Sequence, residues 1–116
     1  MMSVTLADPR INAITQDVLS ASRDILGEKL EKVILFGSYA RGDYDSDSDV
    51  DIFVLADVPN EEANNWRKRI DSRLPDLWFD YDLLVCIHVT SKATFDRYYS
   101  VLPFYQNVIR EGIELK

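Results

Sequence analysis

Cysteine and histidine each occur once in this 116-residue chain, as Cys86 and His88. A lone cysteine cannot close an internal disulfide, so the cross-linked scaffolds of small secreted proteins are excluded and a cytoplasmic location is expected. No apolar run approaches the roughly 18 residues a membrane helix needs. The longest, such as Val33–Phe36 and Leu83–Ile87, are short. Met1–Asp8 has neither the basic start nor the apolar centre of a signal peptide. Internal repeats, low-complexity tracts and linker-like stretches are also missing, so one domain over residues 1–116 is expected. Positive charge is scarce: 13 Lys and Arg stand against 20 Asp and Glu, a net −7. Holding nucleic acid by phosphate attraction needs a basic face, so nucleic acid is not expected as a partner.

What is present reads as a short series of closely spaced elements. Asp8 is a good N-cap, Pro9 suits the first helical position and Gly27 suits the end, predicting a helix over Pro9–Leu26. Its Ile11, Ile14, Val18, Ala21 and Ile25 make one apolar stripe. Lys32–Phe36 reads as a buried strand ending at Gly37-Ser38, and Asp49–Leu55 as a second strand. A helix follows over about Glu61–Leu74, with Asn60 as N-cap, Ala63, Trp66, Ile70 and Leu74 on one face, and Pro75 as its stop. Tyr81–Val89 reads as a third strand. Ser91 is placed as the cap of a short helix through Tyr99, and Pro103 opens a last helix that Gly112 ends. The fold class expected is α/β (α+β), a small mixed sheet flanked by helices.

The acids are not spread evenly. Asp43, Asp45, Asp47, Asp49 and Asp51 alternate along the stretch that follows Gly37-Ser38. On a strand, residues two apart share a face, roughly 7 Å apart at their bases. Asp49 and Asp51 can therefore converge while Val50 and Ile52 enter the core. Two such carboxylates repel unless a cation lies between them, and an oxygen-rich site of this kind suits magnesium bridging to substrate phosphates. Gly37 allows backbone to approach a phosphate, and Ser38 with nearby N–H groups can hold its oxygens. A calcium loop starting at Asp45 fails, since its sixth and twelfth positions hold Val50 and Ala56 in place of Gly and Glu. A plain acidic turn accounts for Asp43, Asp45 and Ser46 but not for Asp51 between two apolar strand residues. The Gly-Lys-Ser/Thr of a Walker loop is absent.

Gly37-Ser38, ten residues, then Asp49-Val50-Asp51 resembles the signature of the DNA polymerase β-like nucleotidyltransferase superfamily. The surrounding Gly-Ser-Tyr-Ala-Arg-Gly and Asp-Ser-Asp-Val-Asp-Ile-Phe-Val text is similar to its minimal nucleotidyltransferase branch, the MntA-like antitoxin type. Tyr81-Asp82-Leu-Leu-Val resembles the family's third acidic strand, and Pro103–Gly112 its closing helix. The resemblance implies a nucleotidyltransferase fold, with Asp49 and Asp51 holding two Mg2+ (or Mn2+) ions and a third acid beside them. Asp82 is preferred for that role; Asp80 has the same strand parity. It implies Gly37 and Ser38 at the nucleotide, with Arg41 divided between a phosphate contact and a salt bridge to the acidic loop. The reaction implied moves a nucleoside monophosphate, AMP from ATP, onto a hydroxyl.

Members of this branch pair with a small helical HEPN-type partner in toxin–antitoxin modules and silence it by adding AMP. Such a partner is the implied acceptor here, because the catalytic core leaves little chain to enclose a second substrate. The alternative is a nucleotide- or partner-binding module without turnover, a structural antitoxin or regulatory subunit. Tyr39 and Tyr44 are candidates to stack on a base, though exposed loop tyrosines more often only shield the chain. His88 reads as a strand-end polar residue rather than a catalytic one. Trp66, Trp78, Phe79, Phe95, Tyr98, Tyr99, Phe104 and Tyr105 are expected to be mostly core, the alternative being that the C-terminal Phe95, Tyr98, Tyr99, Phe104 and Tyr105 include an exposed patch for a partner.

Overall fold

The computed structural model describes residues 8–45, 47–74 and 83–116. Helix α1 spans Pro9–Leu26, with the Asp8 carboxylate accepting from the Arg10 N–H and the Gly27 N–H closing onto the Arg23 carbonyl. Strand β1 covers Leu30–Phe36, the helical turn α2 Ser38–Arg41, and β2 Val50–Ala56. After a 3₁₀ turn at Asn60–Glu62 comes α3, Ala63–Ser72. Strand β3 is Val85–Ser91, followed by α4, Lys92–Tyr98, α5, Pro103–Glu111, and a two-residue strand β4, Ile113–Glu114. No helix among the described residues is long and apolar enough to cross a membrane.

The sheet order is β3-β2-β1-β4. β2 pairs antiparallel with β1 and parallel with β3, and β4 adds antiparallel to the far side of β1. This is the expected mixed sheet flanked by helices. Two-residue alternation sends Val33, Leu35, Val50, Ile52, Val54, Val85 and Ile87 to one face, where Ile11, Ile14 and Val18 of α1 and Ile70 of α3 cover them. The other face carries Ile34, Phe53 and Leu55, covered by Val108 of α5, with Phe95 and Tyr105 packed at the margin.

Three boundaries differ from expectation. β3 ends at Ser91, two residues beyond the expected Val89, and begins at Val85, with Leu83 and Leu84 ahead of the strand. Asn60 does not cap α3; its side chain accepts from the Thr94 hydroxyl at 3.2 Å, tying the start of α3 to α4. The terminal β4 was not foreseen. The expected aromatic core is also corrected: Tyr98, Tyr99 and Phe104 are exposed, at 39%, 39% and 46%, alongside Val101 and Leu102. Tyr98 and Phe104 stand on the short helices α4 and α5, and Tyr99, Val101 and Leu102 on the turn between them. Pro75, Trp78, Phe79, Asp80, Tyr81 and Asp82 lie outside the described residues.

Candidate functional site

The site begins where β1 stops. Gly37 leaves the strand with φ +79°, a conformation side chains disfavour, and its carbonyl then accepts from the Ala40 and Arg41 N–H groups to form α2. A second reason for glycine is space: a Cβ there would sit 2.8 Å from Asp51 Oδ2. The Asp51 carboxylate therefore lies over the bare backbone of the Gly-Ser turn, which brings the two halves of the sequence motif together.

Asp51 stands in β2 opposite Phe36 on one neighbouring strand and Cys86 on the other. Val50 and Ile52 are fully buried on the reverse face, as the alternation requires. Asp49 lies one residue before β2, exposed and of the same parity as Asp51. Both carboxylates are felt at Cys86: burial first, then the negative charges of Asp51 and Asp49, push that thiol above its ordinary value. His88 brings Nε2 to 3.5 Å from Asp51 Oδ1, and its ring meets Phe36 at 5.2 Å between centroids. Phe104 closes the same side, 5.6 Å from Phe36. Sequence reasoning set His88 aside. The available signal was parity, since His88, Cys86 and Asp51 share a face once β2 and β3 are paired in this register.

Other candidates are engaged within the protein. Arg41 donates from Nε to Asp43 at 3.1 Å and approaches Glu111 at 3.6 Å, so in this structure the salt-bridge alternative holds. Tyr39 is buried and stacks on Tyr44 at 4.3 Å. Asp45 organises its own turn, accepting from the Asp47 N–H and the Ser48 hydroxyl. Ser38 opens α2. The expected third acid, Asp82, and its rival Asp80 lie outside the described residues. Among the described residues no group of three His, Cys, Asp or Glu side chains is arranged to hold a metal ion.

Comparison with known proteins decides the family. The sequence model of the nucleotidyltransferase domain matches residues 19–110. The chain belongs to the nucleotidyltransferase domain family. Two relatives come from Methanocaldococcus jannaschii. "Putative protein adenylyltransferase MJ0141" is 47% identical over 62 residues, 53% of this chain and 60% of that protein. "Putative protein adenylyltransferase MJ0604" is 33% identical over 84 residues, 72% of this chain and 76% of that one. Thus the nucleotidyltransferase matches the first of these over less than two thirds of its length. The crystal structure of a toxin-antitoxin with AMP-PNP is similar at TM-score 0.54 and 25% identity, over 88% of this chain and 72% of that chain.

Proposed function

We propose that residues 1–116 form one nucleotidyltransferase unit that transfers AMP from ATP to a hydroxyl group of a protein partner. The observation that carries this reading is the packing of the Asp51 carboxylate against Gly37, which joins the Gly-Ser turn to the acidic strand. That junction leaves a hard carboxylate oxygen beside bare glycine backbone with no side chain between them, which suits a divalent ion together with a triphosphate. Asp49 and Asp51 would hold Mg2+, or Mn2+ in its place, and Asp82 is assigned as the third acid. Bound metal would neutralise charge on the triphosphate and on the departing pyrophosphate. Gly37 and Ser38 would seat the phosphates, and Arg41 would have to leave Asp43 to join them. The acceptor oxygen bonds to the α-phosphorus as the bond to pyrophosphate breaks, and the hydroxyl proton passes to solvent.

A protein acceptor is favoured on two grounds. The two archaeal relatives are named as protein adenylyltransferases, and the similar solved structure is of a toxin-antitoxin. The exposed apolar residues Tyr98, Tyr99, Val101, Leu102 and Phe104 also offer a partner face, which reaches the site through Phe104, 6.5 Å from the His88 ring. We assign the partner as a small helical HEPN-type toxin, with this chain as antitoxin in the cytoplasm. The test is incubation with α-labelled ATP, magnesium and such a partner. Label should appear on the partner and be absent with Asp49→Ala or with Asp82→Asn, while Asp80→Asn keeps it. Transfer to free RNA ends without any protein would overturn the assignment of the acceptor. Tight ATP binding with no transfer to any partner would favour a binding module.

A further inference from the structure

β3 is an edge strand of the sheet. The Val50 N–H donates to the Leu84 carbonyl. Backbone groups along a strand alternate in direction, so Cys86, His88 and Thr90 present theirs to β2. Val85, Ile87 and Val89 then point theirs outward. Among the described residues nothing pairs with the outward groups of Ile87 and Val89. That edge lies open among the described residues. It forms the floor of an open cleft of about 470 Å³, walled by Asn60, Asn64 and Arg67 on one side and Leu102 and Phe104 on the other.

We propose that this cleft takes an extended segment of the acceptor protein, which adds to the sheet as a strand beside β3 and carries the reacting hydroxyl to Asp51. Unpaired N–H and C=O groups at a two-residue repeat are matched by another extended main chain, and neither a helix nor a small molecule supplies that repeat. His88 and Thr90 also line the cleft, and His88 touches both the added strand's path and Asp51. The added strand lies two strand spacings, about 10 Å, from β2, so a long side chain has to cross above His88 to bring its hydroxyl near the carboxylate. Two features select the occupant. The cleft is continuous with the apolar strip through Leu102 and Phe104, so a protein seated there can extend a segment into it. Leu84 is level with Asp49, so a strand running past the start of β3 comes near that exposed acid. In a chain of net −7 that favours a segment with basic flanks.

The strand's role as acceptor rests on the proposed AMP transfer; its binding does not, and the test separates them. The probe is a short blocked peptide of alternating threonine and valine with a lysine at each end. Amide hydrogen exchange is followed by NMR on the native chain. The peptide should slow exchange at Ile87 and Val89 by about tenfold or more, as new hydrogen bonds form. Cys86, His88 and Thr90, already bonded to β2, should not change. Two isomers, N-methylated on one or the other alternate set of amides, should then differ: one keeps the protection and the other loses it. Equal binding by both isomers, protection confined to α4 and α5, or no protection at millimolar peptide overturns the groove. Magnesium-dependent ATP binding is measured on the same samples. Its absence would overturn the AMP-transfer reading, while the exchange pattern would still decide the groove.

Discussion

The two faces of the sheet differ in thickness and in content. Among the described residues, the face under α1 and α3 joins nineteen buried residues in one cluster, while the face under α4 and α5 joins four. The thicker face holds no acid in its cluster. The thinner one carries Asp51, His88 and Cys86 along its margin and leaves Phe104 and Leu102 exposed. Apolar burial is thus concentrated on one side of β2 and the candidate site on the other. Charged groups and open rings can be kept at the thin face because the thick face alone supplies most of the apolar burial.

The sharpest way to break this contrast is to delete matching bulk on each side. Ile14→Ala, in the fully buried stripe of α1, should lower unfolding stability by about 2–5 kcal/mol in denaturant melts. Phe104→Ala on the thin side should cost about 1 kcal/mol or less and should instead weaken capture of the protein partner. Comparable losses from both would mean that the faces share the burden equally.

Asp51→Ala should reverse that pattern. Metal-dependent ATP binding and AMP transfer should fall by about a hundredfold or more, while the melting midpoint holds or rises. Unchanged ATP binding would remove Asp51 from the nucleotide site.

A smaller effect is expected at the start of α1. The hydrogen bond from Arg10 holds the Asp8 carboxyl below its ordinary value of 3.8. A lowered carboxyl stabilises the fold above the unfolded-state value and loses that contribution as pH falls through the folded one. Asp8→Ala should therefore cost about 1 kcal/mol near neutrality, and the difference from the parent should shrink below pH 3.8. A gap that stays constant into acid would show that the cap acts without its charge.

The least effect is expected at Ser22 of α1, whose buried hydroxyl has no hydrogen-bond partner among the described residues. Ser22→Ala should be neutral or stabilising by up to about 1 kcal/mol, since it removes an unsatisfied polar group. A loss of stability there would indicate an ordered water that the hydroxyl serves.

Much of this arrangement was legible because its signals are local. Asp8, Pro9 and Gly27 mark α1 at both ends without reference to the rest of the chain. The Gly37-Ser38 turn and the alternation from Asp49 to Ile52 likewise carry their meaning within a few residues. What escaped depends on partners far along the sequence. Asn60 has the chemistry of a cap, but Thr94 takes its side chain. β4 is two residues long and has no pattern of its own; it exists because β1 offers an open edge. The place of His88 beside Asp51 follows from the β2–β3 register, which no single strand reveals. The exposure of Tyr98 and Phe104 was hidden because aromatic composition does not say which side of a short helix is covered.

The small strand β4 also sets an order of events. β1 meets β2 through a nearby connection, but it meets β4 only across roughly 80 residues of chain, and closing so long a loop is entropically slow to be repaid. Gly112 allows the final turn because a side chain there would collide with Ile34 and the Val108 carbonyl. During refolding, β1 therefore waits with one flank open after the centre of the sheet has zipped. In pulse-labelled exchange the Leu115 amide, which bonds to the Val33 carbonyl, should gain protection later than the amide of Phe53. The helix that roofs the thin face, α5, is tethered to this last clasp, so the side that carries the candidate site should be the part of the molecule that matures last.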